Sequence, residues 1–201
     1  MQTARGAPLS PSDGQDDPAD SPTRRRLGLF VAFALVAYVI DVATKIIAVD
    51  ELEGPPVETV TVVPHVLELT LVRNSGAAFG IATGFTAVLT VIAVSVCIVV
   101  IRMAGRLRDP VWAIALGLLL GGALGNLTDR FARDPGPLRG HVVDFLAFPD
   151  FPVFDFPVFN LADTAVTIAA VLIAVQSFRG IGLDGRRVSE SGASDDKSDD
   201  A

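Results

Sequence analysis

The chain has 201 residues, half of them apolar and only 19% charged, with a mean hydropathy of +0.50. So few charges among so many apolar residues exclude an ordinary water-soluble domain and place the chain among membrane proteins. The formal net charge of −7 sits at the ends, −3 before Arg24 and −3 after Leu183, so it implies no partner, and no basic excess points to nucleic acid.

Residues 1–23 are rich in Pro, Asp, Ala and Ser, lack apolar periodicity and are expected to be a disordered tail. Arg24, Arg25 and Arg26 then precede the uncharged run LGLFVAFALVAYVI. Ala32-Phe33-Ala34 fits a small-x-small leader cleavage site, but it lies too close to the arginines to leave an apolar core. The run also continues through Asp41 and Lys45, which predicts a first transmembrane helix at about 27–49. Residues 50–82 carry Pro and Gly punctuation, β-branched runs and alternation in HVLELTLVR, the pattern of a small β-rich element. An uncharged stretch predicts a second helix at 83–101. Arg102, Arg106 and Arg108 form a basic turn, and a third helix is predicted at 110–127, where GLLLGGALG permits close helix contact. Within the loop 128–157, HVVDFLAF reads as a short helix or strand. A fourth helix follows at 158–178, and residues 181–201 are expected to be a disordered acidic tail. The fold class is an all-α membrane protein: one domain at 24–180, four transmembrane helices and a small extracytoplasmic β-rich cradle. Cys97, the single cysteine, lies inside the second apolar run, which excludes an intramolecular disulfide and a cysteine metal framework.

Arg and Lys concentrate in the N-terminal flank, the turn after helix two and the C-terminal flank, so both termini are expected on the cytoplasmic side. The 50–82 element and the 128–157 loop then lie outside, and the polar motifs gather at the outer leaflet. Carboxylates at the edge of hydrocarbon usually have a task or a partner. Asp41 and Lys45 are four apart and can pair on one helix face, as a structural ion pair or as part of a substrate surface. Asn74, Ser75 and Gly76 form a turn where a backbone could approach a peptide closely. Asn126, Asp129 and Arg130 at the end of helix three can cap that helix, orient carboxylates or meet a lipid phosphate.

Asn160 and Asp163 alone read as a helix cap. Asp144, set among Val142, Val143, Phe145 and Leu146, changes the balance, because an apolar setting raises a carboxyl pKa. Brought together, Asp144 and Asp163 would resist ionising at once, and one could activate water while the other, protonated, polarises a carbonyl. Other protease chemistries lack their residues: there is no H-E-x-x-H, and the only histidines are His65 and His141. Ser75 has no surrounding G-x-S-x-G.

Taken together, DVATK, RNSGAAFG, GGALGNLTDR, HVVDF and FNLADTA, in this order over about residues 27–178, resemble the lipoprotein signal peptidase family, also called signal peptidase II. The resemblance implies a monomeric, multi-pass aspartic protease of the bacterial inner membrane. Its substrates would be prolipoproteins carrying diacylglycerol on the lipobox cysteine, cut immediately before that cysteine, with no metal or organic cofactor. It assigns Asp144 and Asp163 as the catalytic pair, and Asp41, Lys45, Asn74, Gly76, Asn126, Asp129, Arg130 and Asn160 as residues that shape the site and hold substrate or an inhibitor such as globomycin. Two features stand apart from the family pattern: the acidic tails, and the repeated FPDFPVFDFPVF from Phe148 to Phe159, expected to anchor in the membrane or touch substrate lipid. The rival reading is a small ion or proton transporter subunit with membrane-edge carboxylates. A transporter would instead place polar groups near the midplane or show internal repeats.

Overall fold

The computed structural model describes residues 25–54, 59–76, 86–152 and 155–187. Four helices in it are long and apolar enough to cross a membrane. They are α1 (Leu27–Leu52), α2 (Thr86–Ala104), α3 (Pro110–Ala132) and α4 (Leu161–Phe178). Between them lie β1 (Val60–Val63), β2 (Leu67–Asn74) and β3 (Val142–Ala147), which form one antiparallel sheet in the order β1-β2-β3. The fold class is therefore the one the sequence predicts.

The helices are apolar nearly all round because most of their surface has no protein neighbour. Val31, Leu35, Val36, Val39, Ile40, Ile46 and Ile47 of α1, and Val88, Val91, Ile92, Val99 and Ile101 of α2, all stand exposed. In water that surface would aggregate; in a bilayer it is solvated, while every helical N–H is satisfied within the helix.

α3 is the central element and packs against α1, α2 and α4. Its glycines explain how. Gly117 and Gly121 lie one turn apart beneath α1, where an added Cβ would strike the carbonyl oxygens of Phe30 and Ala34. Gly122, on another face, abuts the carbonyl of Ala162 in α4, at 2.7 Å from where its Cβ would be. Gly125 gives way to the carboxylate of Asp41. Backbones thus approach where packing rather than hydrophobicity must join helices. Asp109 caps α3, accepting from Trp112 N at 2.9 Å, and Pro110 occupies the first turn.

Several boundaries differ from the sequence expectation. α3 runs to Ala132 rather than 127, since NLTDRFAR contains no breaker before Pro135, so Asn126, Asp129 and Arg130 are helical instead of marking the helix end. α1 likewise continues to Leu52 until Gly54 interrupts it. α4 starts at Leu161, because Asn160 caps it in extended conformation. HVVDFLAF is a strand, and its β-branched residues pair with β2 in a register that sets Val72 opposite Asp144. Residues 181–187, expected in the disordered tail, form a turn on the α2–α3 connection. Trp112 Nε1 donates to Ile181 O (2.8 Å), and Arg108 N and Asp109 N donate to Leu183 O (2.9 and 3.2 Å). Backbone carbonyls supply these contacts, so the composition of the segment does not announce them. The expected tails 1–23 and 188–201 lie outside the described residues, as does Phe154.

The sheet closes over the end of α1. Val143 and Phe145 of β3 pack on Ala48 and Leu52, flanked by Leu69, Leu71 and Leu161. A second apolar cluster, around Phe30, Val100, Leu107, Leu116 and Leu120, joins α1, α2 and α3. If the α1–α3 approach is as close as described, Gly121→Val will lower unfolding stability in detergent by about 3 kcal/mol, the upper range for overpacking. An unchanged thermal transition would show that the helices can separate without loss.

Candidate active site

Asp144 stands in the middle of β3 and is almost fully buried. Its two carboxyl oxygens have separate donors: Asn160 Nδ2 reaches Oδ1 at 2.6 Å and Asn74 Nδ2 reaches Oδ2 at 2.9 Å. Burial pushes its pKa up to about 6; the bond from Asn74 works against that, and the nearby Asp163 carboxylate adds to it. Asn74 is held in turn, because its Oδ1 accepts from Gly76 N at 2.8 Å. Gly76 adopts φ +99°, a conformation side chains rarely tolerate, and a Cβ there would meet Leu89 and the Arg130 guanidinium.

Asp163 is the third residue of α4 and completes a capping box with Asn160. Asn160 Oδ1 accepts from Asp163 N (2.9 Å), and Asp163 Oδ2 accepts from Asn160 N (3.2 Å). Its other oxygen accepts from Asn126 Nδ2 at 3.0 Å. The partial positive end of α4 also favours negative charge at this position. Asn160 therefore touches both carboxyl groups, and it is fully buried. The cap reading and the paired-carboxyl reading of the sequence describe the same residues.

Behind this pair lies a buried ion network. Lys45 Nζ donates to Asn126 Oδ1 (2.7 Å) and forms ion pairs with Asp41 Oδ2 (2.8 Å) and Asp129 Oδ2 (3.0 Å), the Asp41 contact lacking hydrogen-bond geometry. Asp41 Oδ1 accepts from Ala162 N at 2.8 Å and so ties α1 to the first turn of α4. Asp129 Oδ2 also accepts from Val143 N at 3.2 Å, fixing the residue just before Asp144. Its other oxygen pairs with Arg133, which the sequence reading passed over although Asp129 and Arg133 have the spacing of a helical ion pair. Arg130 is buried, donates to Gly140 O at 3.4 Å, and lies within electrostatic reach of Asp144, Asp129 and Asp163. All ten predicted site residues thus converge on one end of the bundle.

Asp144 and Asp163 both open onto a cleft of about 670 Å³. Val72, Arg73, Asn74 and Ser75 line it along β2, Thr164, Thr167 and Ile168 along α4, and Phe148, Phe156 and Phe159 along the loop between β3 and α4. The rings of Phe148, Phe156 and Phe159 lie mutually 5.2–5.5 Å apart, and Phe151 stacks against Phe156 at 5.3 Å. Sequence reading found the aromatics but not the α4 residues Thr164, Thr167 and Ile168. Their signal is the spacing of 164, 167 and 168 on one helix face with Asp163 at its head. Among the described residues no group of His, Cys, Asp and Glu is arranged to hold a metal ion. Two carboxyl groups, one of raised pKa, beside an apolar cleft can share a proton and act on a water between them.

Residues 33–179 match the family described as Signal peptidase (SPase) II. A lipoprotein signal peptidase of Mycobacterium avium (strain 104) is 49% identical over 176 residues, 87% of this chain and 92% of that one. One from Mycobacterium bovis (strain BCG / Pasteur 1173P2) is 45% identical over 190 residues, 92% of this chain and 91% of its relative. A solved structure described as a bacterial membrane enzyme, obtained by the in meso method at 1.9 Å, superposes with a TM-score of 0.65. It shares 30% identity and covers 77% of this chain and 96% of its own.

Replacing Lys45 by Met would strand the buried carboxylate of Asp41 without its counter-charge and leave Asp129 only its pairing with Arg133. Breaking such a network from one side typically removes about 3–5 kcal/mol. Lys45→Met is therefore expected to unfold well below wild type in a detergent melting experiment, and a wild-type transition would mean that the network is not a stability element.

Proposed function

We propose a mechanism and a substrate on one premise: the chain belongs to the signal peptidase II family and is a multi-pass membrane protease. The signal peptide of a prolipoprotein is cut immediately before its diacylglyceryl-modified cysteine, with Asp144 and Asp163 activating the water. The observation that carries this reading is the position of Asn160, which bonds to both carboxyl groups at the rim of one cleft. A cap alone would not need Asp144 beside it. The alternative of an ion or proton path is not favoured, since the buried charges gather at one end of the bundle and are paired there.

The proton of the pair is assigned to Asp144, whose burial raises its pKa to about 6, so that it holds the proton below that pH. The charge count agrees: Asp41, Asp129, Asp144 and Asp163 face Lys45, Arg130 and Arg133, so one added proton makes the cluster neutral. Neutral Asp144 donates a hydrogen bond to the scissile carbonyl oxygen. Asp163, whose oxygens accept from Asn126 and the Asn160 amide, takes a proton from water as the water oxygen bonds to the carbonyl carbon. The tetrahedral intermediate then collapses: the C–N bond breaks, Asp163 gives the proton it took from water to the leaving amine of the cysteine, and the signal peptide leaves as a carboxylic acid. The network around Lys45 holds Asn126 and Val143, and through them both aspartates, in place. The arginines at the far ends of α1, α2 and α4 support an orientation with that side in the cytoplasm and the cleft at the outer leaflet, in a protein acting as a monomer.

Asp144→Asn and Asp163→Asn should each fold and lose activity by about a hundredfold or more, as expected for loss of an acid or base. A gel-shift assay with purified protein and a diacylglyceryl-modified prolipoprotein reads this directly; full activity in either variant would return that aspartate to a structural role. For wild type, kcat/KM should fall as pH rises through about 6, since Asp144 then loses its proton. A profile flat from pH 5 to 8 would count against Asp144 as the proton carrier.

A further inference from the structure

Among the described residues, none of α2 borders the cleft. Its first two turns nevertheless hold two segments beside Asp144. Thr86, the first residue of α2, is buried, and its hydroxyl donates to Ser75 O. Leu89, one turn on, lies under Gly76, where an added Cβ would fall 2.6 Å from it. Thr90 is wholly buried, and its hydroxyl reaches Leu138 O, in the loop that leads into β3, as well as Thr86 O, both at 2.9 Å. Thr167 and Ser177 of α4, and Ser95 further along α2, instead bond to the carbonyl four residues back in their own helix. That is the ordinary arrangement for a hydroxyl on an apolar helix. Thr86 and Thr90 turn theirs outward, to loops.

The loop that Thr86 grips is the turn that aims Asn74. Asn74 Oδ1 accepts from Gly76 N at 2.8 Å, which leaves Nδ2 to donate to Asp144 Oδ2 at 2.9 Å. β2 and its ladder with β3 end at Asn74, so Ser75 and Gly76 lie beyond the sheet and take their support from α2. We infer that Thr86 is a positioning residue for the cleavage reaction: from α2 it fixes the Asn74–Gly76 turn and thereby keeps Asn74 Nδ2 on the carboxyl group of Asp144. This rests on the cleavage reading above and extends it to a helix that touches neither aspartate. Thr90 steadies the same end of α2 through Leu138. The bond from Asn74 works against the raised pKa of Asp144, so loosening the turn lets that carboxyl hold its proton to higher pH. The charged groups around Asp144 are Asp163 on α4, Lys45 on α1, Arg130 on α3 and Arg73 on β2, the last paired with Glu53. A change at Thr86 alters none of them chemically.

The test uses the full-length protein in detergent with a diacylglyceryl-modified prolipoprotein, and melting curves give the folded fraction of each variant. Thr86→Val keeps the shape of the side chain and removes the donor; Thr86→Cys, with a weak donor in a similar volume, makes the same comparison should the valine variant not fold. Loss of one hydrogen bond should lower kcat per folded enzyme by about three- to tenfold. KM should stay within about twofold, since α2 does not border the cleft. The fall of kcat/KM with rising pH should move to higher pH by about half a unit. Thr86→Ser, which restores the donor, should recover both kcat and the profile. In an Asn74→Ala background Thr86→Val should cost little more, because its effect passes through Asn74. A lowered melting transition with kcat and the pH profile unmoved would overturn the inference and leave Thr86 a stability residue. An equal loss with and without Asn74 would overturn it too. A wild type inert toward the substrate would overturn the cleavage reading itself, and the inference with it.

Discussion

The buried ammonium of Lys45 is the constraint from which the rest of this end of the molecule follows. An isolated charge at that depth would be prohibitively costly, so it must find counter-charges and acceptors. The acceptors come from α1 and α3, and they are themselves tied onward to α4 and β3. Asp41 reaches the first turn of α4, Asp129 reaches the backbone of β3, and Asn126 reaches Asp163. One cation thereby fixes the relative position of three helices and a strand. Asp144 and Asp163, on consecutive elements already joined through Asn160, are thereby also held from α1 and α3 behind them.

That arrangement depends on how near the helices can come. α3 turns glycines toward α1 and α4 at the places where side chains of ordinary size would hold them apart. Gly125 lies directly against Asp41, so the absence of a side chain there is what admits the carboxylate to the Lys45 site. The apolar bundle and the polar cluster are consequently one design: backbone proximity in the hydrocarbon sets the distances within the ion network.

Much of this was legible in the sequence, for identifiable reasons. Long uncharged runs announce helices by length alone, and charges beside them are rare enough to be noticed. Asn160 and Asp163 showed their cap because a three-residue spacing at a helix start has a local cause. The meeting of Asp144 with Asp163 is not local; it needs the register of β3 against β2, which no periodicity in six residues dictates, and it was reached through family resemblance rather than through the residues. Arg133 does not stand out when a loop is expected from residue 128, where the absence of a breaker lets α3 continue. The turn at 181–187 leaves no mark in the sequence because its contacts are made by carbonyl oxygens, common to all residues.

Asn160 has a consequence for how this site can change over time. Its side chain is at once the first hydrogen-bond acceptor of α4 and a donor to Asp144, and its own backbone N–H serves Asp163. A substitution there to evade a compound lodged in the cleft would unravel the start of a membrane helix along with the site. The same double employment holds for Asn74, Asn126 and Asp129. Drug escape is thereby confined to the walls, at residues such as Ile168 and Phe156, where a side chain can alter without dissolving the architecture. A ligand gripping only the polar rim would leave resistance few routes.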